Sequence, residues 1–418
     1  MRIFCFFLLF LLLAARTTAQ SGFSSITKLR SFPISDFTKD KTQAKVWTYA
    51  DRWWSVLTTP EGTKLFRLDG AIWTPIYILA NSKSAQADCL VSGNMVHILI
   101  YRGSGVPSYL FSLVYNPVSN IYMFWDQRRT ASSLTMPSGA QTASLALDSK
   151  GRMWITSGDV SNVYAWYSDA PYNSFSSPIT IASGITSKDR YVVTALPGKI
   201  GIFWSSQTTK RFGFKTHLDG DVPTTWSADE VPASQSAIDN IGNGMASGQL
   251  NIQAANDGKL YCVAKTRYDK TGYPEVILLV RRTTGKWDNV YPVTTYPTGS
   301  QPTILVSDDS KKLKVLYTAK EGGGDIVYKE SLTSAISFGS QFTLINGGGT
   351  PLDYSTASHQ PYNYKTVIMV TNSSSIPKET VSVRASDVAS TDATAPTVLG
   401  ISRQSPSTQL TNGNTLIY

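Results

Sequence analysis

AANDGKLYCVAKTRYDKTGYPEVILLVRR, residues 254–282, is the stretch of sequence that decides the fold. It contains two runs, LYCVAK and EVILLVRR, in which aromatic, β-branched and other apolar residues dominate, as is typical of strands. An Asp-Gly turn precedes the first run, and a polar loop separates it from the second. An isolated hairpin buries too little apolar surface to be stable alone. The architecture therefore depends on whether this hairpin recurs.

The hairpin pattern occurs seven times along the chain. Each copy has a short apolar strand, a turn rich in Gly, Asp, Ser or Pro, and a second apolar strand that ends in a polar loop. Successive copies begin roughly 40 to 60 residues apart, as do the four-stranded blades of a propeller. The copies are VWTYADRWWSVLTT (46–59), CLVSGNMVHILIY (89–101), ALDSKGRMWITS (146–157), TALPGKIGIFWSS (194–206), AANDGKLYCVAK (254–265), LVSDDSKKLKVLYTA (305–319) and SHQPYNYKTVIMVT (358–371).

A second landmark follows in five of the units and predicts the outer strand of each blade. An aromatic residue is followed by a few polar residues and then by alternating aliphatic residues. The five segments are IWTPIYILA (72–80), FSSPITIAS (175–183), TWSADEVPA (225–233), KWDNVYPVT (286–294) and SFGSQFTLI (337–345).

The seventh unit, residues 355–387, has material for only three strands, and the missing strand is found near the N-terminus. GFSSITKLRS, residues 22–31, closely echoes FSSPITIAS. Pairing this segment into the last blade would close the ring without an exposed edge. The sequence therefore predicts an all-β, seven-bladed β-propeller over residues 20–388, closed by residues 23–30. A six-bladed ring, with one weak copy miscounted, is the alternative.

The first nineteen residues have the layout of a secretory signal peptide. A basic Arg2 precedes an apolar run over residues 3–15, and small residues lead to a cleavage point before Gln20. The run is too short to span a bilayer. We predict a signal peptide over residues 1–19, no membrane span, and a protein that is secreted or held at the cell surface.

The C-terminal residues have a different composition from the propeller. Residues 389–395 are rich in Ser, Thr, Ala and Asp, which is typical of a linker. Residues 396–418, PTVLGISRQSPSTQLTNGNTLIY, resemble the start of the Ig-like repeats of long bacterial secreted proteins. Two strands of such a repeat cannot form a core. Either the chain is part of a longer multidomain protein, which we favour, or this tail hangs loose.

Charge and cysteine content exclude several classes of protein. The net charge of +9 falls to +7 without Arg2 and Arg16, and the remaining basic residues are scattered rather than gathered into a stripe for nucleic acid. Cys89 and Cys262 lie in apolar strands of well-separated blades, so we predict two buried thiols rather than a disulfide. No His, Cys and Asp cluster has metal-ligand spacing, and nothing calls for a cofactor.

The hairpins resemble those of the exported bacterial sialidase-like propellers built from BNR repeats. The signature of that family is the Asp box, Ser-x-Asp-x-Gly-x-x-Trp, and the nearest stretch here is LALDSKGRMW, residues 145–154. Two residues separate Asp148 from Gly151, where the signature has one. The resemblance implies a propeller fold far more strongly than it implies a function.

Loops that lead into innermost strands and loops that join second to third strands share one face of a propeller. Ligands usually bind there, because residues from several blades converge. Arginines from four such loops would suit a carboxylate or sulfate group, and neighbouring aromatic residues would suit a sugar ring. The ligand-binding candidates are Arg102, Asp159, Arg190, Arg211, Arg267, Tyr268, Asp269, Glu321 and His359, with Gln207 and Gln301 in the same loops.

Three functions remain open at this level. The first is a recognition module that binds carbohydrate or another surface polymer through the loop face. The second is a glycan-degrading hydrolase or lyase that acts on acidic polysaccharide, although no pair of carboxyl groups is singled out by spacing. The third is a structural or adhesive module without a small ligand. The absence of an identifiable catalytic set favours recognition.

Overall fold

The computed structural model describes residues 22–38 and 42–387. In this part of the chain almost all regular structure is β, apart from a short 3₁₀ helix at Ser234–Ser236. The first fifteen strands are β1 (Ser25–Lys28), β2 (Phe32–Pro33), β3 (Val46–Tyr49), β4 (Arg52–Thr59), β5 (Gly62–Asp69), β6 (Ile72–Ala80), β7 (Gln86–Ser92), β8 (Met95–Tyr101), β9 (Pro107–Asn116), β10 (Ile121–Phe124), β11 (Ser132–Thr135), β12 (Ser144–Leu147), β13 (Met153–Gly158), β14 (Asn162–Ser168) and β15 (Ile179–Ser183).

The remaining strands complete the repeating pattern. They are β16 (Tyr191–Leu196), β17 (Lys199–Ser206), β18 (Arg211–Leu218), β19 (Leu250–Ala254), β20 (Leu260–Lys265), β21 (Val276–Arg281), β22 (Tyr291–Pro292), β23 (Ser300–Val306), β24 (Lys312–Thr318), β25 (Ile326–Leu332), β26 (Phe342–Ile345), β27 (Leu352–Thr356), β28 (Lys365–Asn372) and β29 (Glu379–Ser386).

The strands form seven antiparallel sheets in chain order, which are the seven blades of a propeller. The innermost strands are β3, β7, β12, β16, β19, β23 and β27, and each of the first six contacts the next around the ring. Blade seven returns to blade one through contacts between β28 and β3. The prediction of seven blades is confirmed, and the six-bladed alternative is wrong.

The N-terminal strand closes the ring, as predicted. β1 pairs antiparallel with β29, with Ser25 opposite Ser386 and Lys28 opposite Val383. β2 continues along the same edge, where Phe32 lies opposite Thr380. The last blade thus contains strands from both ends of the described chain, and its edge strand β29 is covered rather than exposed.

Seven apolar clusters fill the spaces between neighbouring blades. One cluster joins blades one and two, and equivalent clusters lie at every following junction, including the junction of blades seven and one. Trp54, Trp154, Tyr261 and Tyr317 are completely buried in them, and Trp166 nearly so. Burial of each such side chain contributes roughly 1.5–3 kcal/mol. These aromatic residues pack between blades, as their positions in strands predicted.

Blade four departs from the predicted four-stranded pattern. Residues 225–233 form no strand there, and only an isolated bridge joins Phe214 to Glu230. The Glu230 carboxylate accepts hydrogen bonds from Arg281 and from the indole nitrogen of Trp287 in blade five. These side-chain contacts hold the segment against the next blade in place of a strand ladder. Pro232 also limits further pairing, since it has no backbone donor.

In the turn that resembles an Asp box, the Asp148 carboxylate accepts three hydrogen bonds from the residues that follow it. Asp148 Oδ1 accepts hydrogen bonds from the backbone nitrogens of Lys150 and Arg152, both at 2.9 Å. Its Oδ2 accepts a hydrogen bond from Trp154 Nε1 at 3.2 Å. Asp257 and Asp309 cap the equivalent turns of blades five and six through one backbone nitrogen each. An aspartate carboxylate therefore caps this turn in three of the seven blades.

Both predicted thiols are buried, and no disulfide joins them. Cys89 lies in β7 and Cys262 in β20, in blades two and five. Burial raises the pKa of each thiol well above its usual value, so both are poor nucleophiles at neutral pH.

No helix in the described ranges has the length and apolar character needed to cross a membrane. The predicted signal peptide, the linker 389–395 and the Ig-like segment 396–418 lie outside the described residues and stay predictions.

Candidate functional site

A cavity of about 460 Å³ opens at the mouth of the central channel. It lies where the chain leads into the innermost strands and where second strands turn into third strands; we call this side of the ring the mouth face. Six of the seven blades, all except blade two, contribute to its lining. The lining residues are Thr42, Gln141, Lys188, Arg190, Gln207, Ser247, Gly248, Gln249, Arg267, Gln301 and Tyr354.

The mouth cavity is basic and rich in amide side chains. Lys188, Arg190 and Arg267 supply three positive charges, and none of the described lining residues is Asp or Glu. Four lining side chains are glutamines, which can donate and accept hydrogen bonds. Guanidinium groups bind carboxylate and sulfate oxygens through paired donors, and amides suit hydroxyl groups. This is the composition expected for an acidic, polyhydroxylated ligand.

Arg267 is held in place by the segment that links blades four and five. Its backbone nitrogen donates to the carbonyl of Gly244, and its own carbonyl accepts from the backbone nitrogen of Asn243. Its Nη1 donates to Gln207 Oε1 at 2.6 Å. Gln207 is itself fixed, because its backbone nitrogen donates to the buried carboxylate of Asp189. The guanidinium therefore faces the cavity from an anchored loop.

Arg190 is anchored by hydrogen bonds to Asp189 and to Ser205, which itself binds the buried Asp189 carboxylate. Its backbone nitrogen donates to Ser205 Oγ at 3.0 Å, and Ser205 Oγ in turn donates to Asp189 Oδ1 at 2.8 Å. Arg190 Nη1 donates to the carbonyl of Asp189 at 2.9 Å. Asp189 thus organises the loops that carry both arginines without facing the cavity itself.

Gly248 is required by the close approach of two loops in the cavity wall. A Cβ atom at this position would lie 2.2 Å from the carbonyl oxygen of Lys188 and 3.3 Å from Arg190 Cγ. Because the first contact is with backbone, the loop that carries Lys188 and Arg190 would have to shift.

We therefore expect Gly248→Ala to weaken ligand binding at the mouth by roughly 10-fold or more, because small displacements of anchored binding groups are costly. The measurement is the dissociation constant for an acidic polysaccharide. Gly324→Ala is the matched control, since a Cβ there would have its nearest neighbour at 3.7 Å. Equal affinities of the two variants would show that the loop tolerates the added methyl group.

Two lining residues have left-handed backbone conformations that non-glycine residues rarely adopt. Gln301 has φ of 55° and Tyr354 has φ of 60°, each at an irregularity in an innermost strand. The Gln301 backbone nitrogen donates to Gln249 Oε1 at 2.7 Å, and Thr38 Oγ1 donates to the Tyr354 carbonyl at 2.6 Å. Strained residues held by their surroundings often occur at binding sites. Burial, with the nearby Asp353 and Glu321, raises the pKa of the Tyr354 phenol.

Of the four arginines predicted to converge, the structure brings together Arg190 and Arg267. Arg102 instead donates to the Pro107 carbonyl and to the Tyr109 hydroxyl, and its guanidinium lies 4.9 Å from the centre of that ring. Arg211 forms a two-point ion pair with Asp239. Neither Arg102 nor Arg211 lines the mouth cavity.

The other loop candidates have local structural contacts. Tyr268 is buried, and its hydroxyl accepts a hydrogen bond from the Ile238 backbone nitrogen at 2.9 Å. Asp269 is exposed in the same loop as Arg267. Asp159 accepts hydrogen bonds from its own turn, and although burial opposes it, these bonds lower the pKa of Asp159. Glu321 pairs with Lys265 at 2.5 Å, outside the cavity lining.

His359 lies elsewhere than predicted. It does not lead into the innermost strand of blade seven but follows it, in the loop from residue 357 to residue 364, which we call the plug loop. Its ring Nε2 lies 2.8 Å from Oδ1 of the buried Asp88 in blade two, and its carbonyl accepts from Gln253 Nε2 in blade five. Further bonds join the plug loop to Thr48 in blade one and to Val306 in blade six.

The plug loop therefore crosses the channel from the side opposite the mouth. The Asp88 carboxylate also accepts from the backbone nitrogens of Ala44 and Leu145, so this buried charge is fully used in joining blades one, two and three. His359 is a structural residue of the channel rather than part of the mouth cavity. The hairpin copy predicted at residues 358–371 begins after β27 ends, so His359 was placed before the innermost strand instead of after it.

Sequence reasoning missed several residues of the mouth cavity. Lys188, Gln141, Gln249 and Tyr354 each lie next to or within an innermost strand, so the rule used for Arg190 could have found the first three. Tyr354 carried no such signal, because its side chain reaches the cavity only through the irregular backbone of β27. In the described residues no three His, Cys, Asp or Glu side chains gather to hold a metal ion.

The fold places the chain among the β-propellers. No protein-family model matches the sequence, and no curated protein matches it. A polysaccharide lyase, Uly1, is similar in structure with a TM-score of 0.54 and 9% identity, over 87% of this chain and 99% of that one. A polysaccharide lyase of family PL25, an ulvan lyase bound to -[GlcA(1-4)Rha3S]-, gives 0.54 and 10%, over 87% and 95%.

The WD40 domain of Toxoplasma gondii coronin is also similar, with a TM-score of 0.50 and 8% identity, over 88% of each chain. At such identities the likeness concerns the fold alone, which propellers of many functions share. The similar structures thus include two polysaccharide lyases and a WD40 domain, which share the propeller fold with this chain.

Proposed function

We propose that this chain is a carbohydrate-recognition propeller that binds acidic polysaccharide through the mouth cavity. The observation that carries the proposal is the lining itself: three cations and four glutamines, with no carboxylate among the described lining residues. Of the residues predicted from sequence, the proposal keeps Arg190 and Arg267 as ligand-binding groups. Arg102, Asp159, Arg211, Tyr268, Asp269, Glu321 and His359 are assigned structural or peripheral positions.

The ligand follows from the chemistry of these groups. Each guanidinium can form two parallel hydrogen bonds to a uronate carboxylate or a sulfate ester, and Lys188 adds a point charge. The glutamine amides would bind ring hydroxyls between the charged groups. A cavity of this volume accommodates a few sugar units of a polysaccharide chain. Two structural neighbours are polysaccharide lyases, one bound to a saccharide with glucuronic acid, which supports the substrate class.

Recognition is favoured over cleavage by what the cavity contains. A glycoside hydrolase of the common type needs two carboxyl groups across the bond, and the described lining residues supply none. A lyase is the second candidate, because Tyr354 places an ionisable phenol in a cavity whose arginines could neutralise a uronate carboxylate. Burial raises the pKa of Tyr354, however, which disfavours the phenolate that would act as base.

Arg267→Ala is expected to weaken binding of polygalacturonate, alginate or a sulfated polysaccharide roughly 10- to 100-fold, because charge-assisted hydrogen bonds are lost. Isothermal titration at two salt concentrations measures the effect, and wild-type affinity should fall as salt rises. Arg211→Ala is the matched control, since that arginine is paired at the surface outside the cavity. Unchanged affinity in Arg267→Ala would contradict the proposal.

The same mixtures of protein and polysaccharide also distinguish a binding module from a lyase, which would cleave the polymer by elimination. Ultraviolet absorbance of an unsaturated uronate product, absent in Tyr354→Phe, would identify a lyase instead of a binding module. Binding without new absorbance or new reducing ends supports recognition. Export, predicted from residues 1–19, would give the protein access to polymers outside the cell.

A further inference from the structure

A second cavity, of about 440 Å³, lies on the opposite side of the ring from the mouth. It forms where the plug loop meets the turn between β3 and β4, so it lies on the side of the first-to-second turns, which we call the turn face. It shares no lining residue with the mouth cavity. Its lining residues are Thr48, Asp51, Trp53, Ser358, Gln360, Pro361, Tyr362, Asn363, Tyr364, Lys365 and Thr366.

Two aromatic side chains of this cavity are open to solvent. Tyr364 is 46% exposed and is one of two aromatic residues, with Phe124, among the large exposed hydrophobic side chains of the described chain. Trp53 is partly exposed at the start of β4 while its other side packs on the core between blades seven and one. Neither ring stacks on another aromatic ring in the described residues. Exposed, unstacked aromatic rings in a concave site are suited to a flat apolar ligand face.

The backbone holds Tyr364 in this outward position. Its φ of 44° is left-handed, which is unfavourable for a bulky residue. The strain is held on both sides: the Tyr364 carbonyl accepts from the Asp387 backbone nitrogen at 2.9 Å, and Gln360 Oε1 accepts from the Thr48 backbone nitrogen at 3.0 Å. The ring is therefore presented by an anchored loop. The Lys365 ammonium lies 5.2 Å from its centre and occupies the space near one face.

The polar groups around these rings differ from those of the mouth. The lining has one carboxylate, Asp51, and one ammonium group, Lys365, so the formal charges of the lining residues sum to zero. Asn363 adds an exposed amide. A smaller groove of about 360 Å³ shares Asp51 and Trp53 with the cavity, and its lining adds two cations, Arg52 and Arg384. Trp53 thus lies between two adjoining depressions, as a stacking residue in a site for more than one ring would.

We propose that the turn face carries a second carbohydrate site, which takes uncharged sugar rings by stacking them on Trp53 and Tyr364. Asp51 would accept hydrogen bonds from hydroxyl groups, and Asn363 would both donate and accept. Within the 440 Å³ cavity the charges balance, which favours neutral sugars there over the acidic ones suited to the mouth. This inference goes beyond the function proposed above and does not depend on it, because it uses different residues and a different ligand class.

Two sites on opposite faces of one rigid ring have a consequence for binding. A single short oligosaccharide cannot occupy both, so the protein would join two chains, or two regions of a long chain that passes around the rim. Simultaneous engagement of both sites raises the effective affinity for a mixed polymer above that of either site.

The test uses Tyr364→Ala and the milder Trp53→Phe, with neutral tetrasaccharides of β-1,4-linked glucose, xylose and mannose and with polygalacturonate. Binding is measured by titration calorimetry and by saturation-transfer NMR. We expect at least one neutral tetrasaccharide to bind the wild type and to bind Tyr364→Ala roughly 10-fold more weakly. Polygalacturonate affinity should be unchanged in that variant. Arg267→Ala should show the reverse pattern.

Phe124→Ala is the control for loss of an exposed aromatic side chain on another blade. A neutral tetrasaccharide that binds Tyr364→Ala and Trp53→Phe as well as it binds the wild type would overturn the proposal. The proposal would also be overturned if no neutral tetrasaccharide binds the wild type, or if Trp53 and Tyr364 bind a protein instead. If only the function proposed for the mouth cavity is wrong, the wild type will not bind polygalacturonate. Binding of the neutral tetrasaccharides still tests the turn-face site in that case.

Discussion

Replacing Lys314 with methionine is expected to lower the free energy of unfolding by about 3–5 kcal/mol, the usual cost of leaving a buried charge unpaired. The Lys314 side chain is fully buried, and its ammonium lies 3.0 Å from Glu330 and 2.9 Å from Asp387. Glu330 lies directly opposite Lys314 across β24 and β25. Although burial alone would raise it, the Lys314 ammonium keeps the pKa of Glu330 below its usual value.

The effect should be large because this network joins both ends of the ring to blade six. The ammonium lies 4.6 Å from the centre of the Phe23 ring, and the Phe23 backbone nitrogen donates to the Tyr328 hydroxyl. Phe23 leads into the closing strand β1, and Asp387 follows its partner β29. Loss of Lys314 therefore weakens the closure of the propeller as well as one pair.

Urea denaturation of the variant and of the wild type measures this difference. Lys311→Met is the matched control, since that exposed lysine forms only a surface pair and should change stability by under about 1 kcal/mol. In Lys314→Met the Glu330 carboxyl loses the ammonium that lowers its pKa. The stability deficit of the variant should therefore shrink as the pH falls and Glu330 becomes protonated. A deficit that is independent of pH would contradict this explanation.

Acidification is expected to destabilise the protein through His97, by about 3 kcal/mol at pH 4 relative to pH 7. Burial in the strand β8, with the charge of Arg128 nearby, lowers the pKa of His97 to about 3. The unfolded chain therefore binds this proton below about pH 6.5, whereas the folded protein does not. The sign follows: stability falls as pH decreases from about 6.5 toward 3.

His97→Gln is the variant that isolates this effect. Glutamine keeps a hydrogen-bonding group near Ser112 Oγ, which lies 2.8 Å from His97 Nδ1, but it does not titrate. The stability of the variant should fall less steeply between pH 6.5 and pH 4 than that of the wild type, with chemical denaturation at each pH as the measurement. Parallel curves for the two proteins would assign the acid sensitivity to other groups.

The fold could be predicted because its signals are local and repeated. Each hairpin places alternating apolar residues on its two faces, and both faces of a blade are covered by neighbouring blades. The closing strand was recognisable because residues 22–31 repeat the outer-strand pattern and the seventh unit lacks one strand. The outer strand of blade four could not be predicted in the same way. Its pattern is present, but Glu230 binds Arg281 and Trp287 in the next blade.

The candidate site could be predicted only in part. Arg190 and Arg267 follow from their positions in loops of the mouth face, whereas Arg102 and Arg211 occupy equivalent loops and turn to local acceptors. Sequence gives the loop in which a side chain starts but not the acceptor that it meets. For the same reason the Asp88–His359 contact, between residues in blades two and seven, has no signature in either hairpin.

The sequence by itself determined the strand content, the number of blades and the way the ring closes, since these depend on periodic apolar residues and on short-range turns. Only the tertiary structure decided which charges meet at the mouth, which side chains fill the channel and where Tyr364 is presented. Those features depend on contacts between residues that are far apart in the chain. They are fixed when the ring closes, because closure brings loops from different blades to a common centre. Each side chain there then pairs with the nearest group of opposite charge or matching hydrogen-bond capacity.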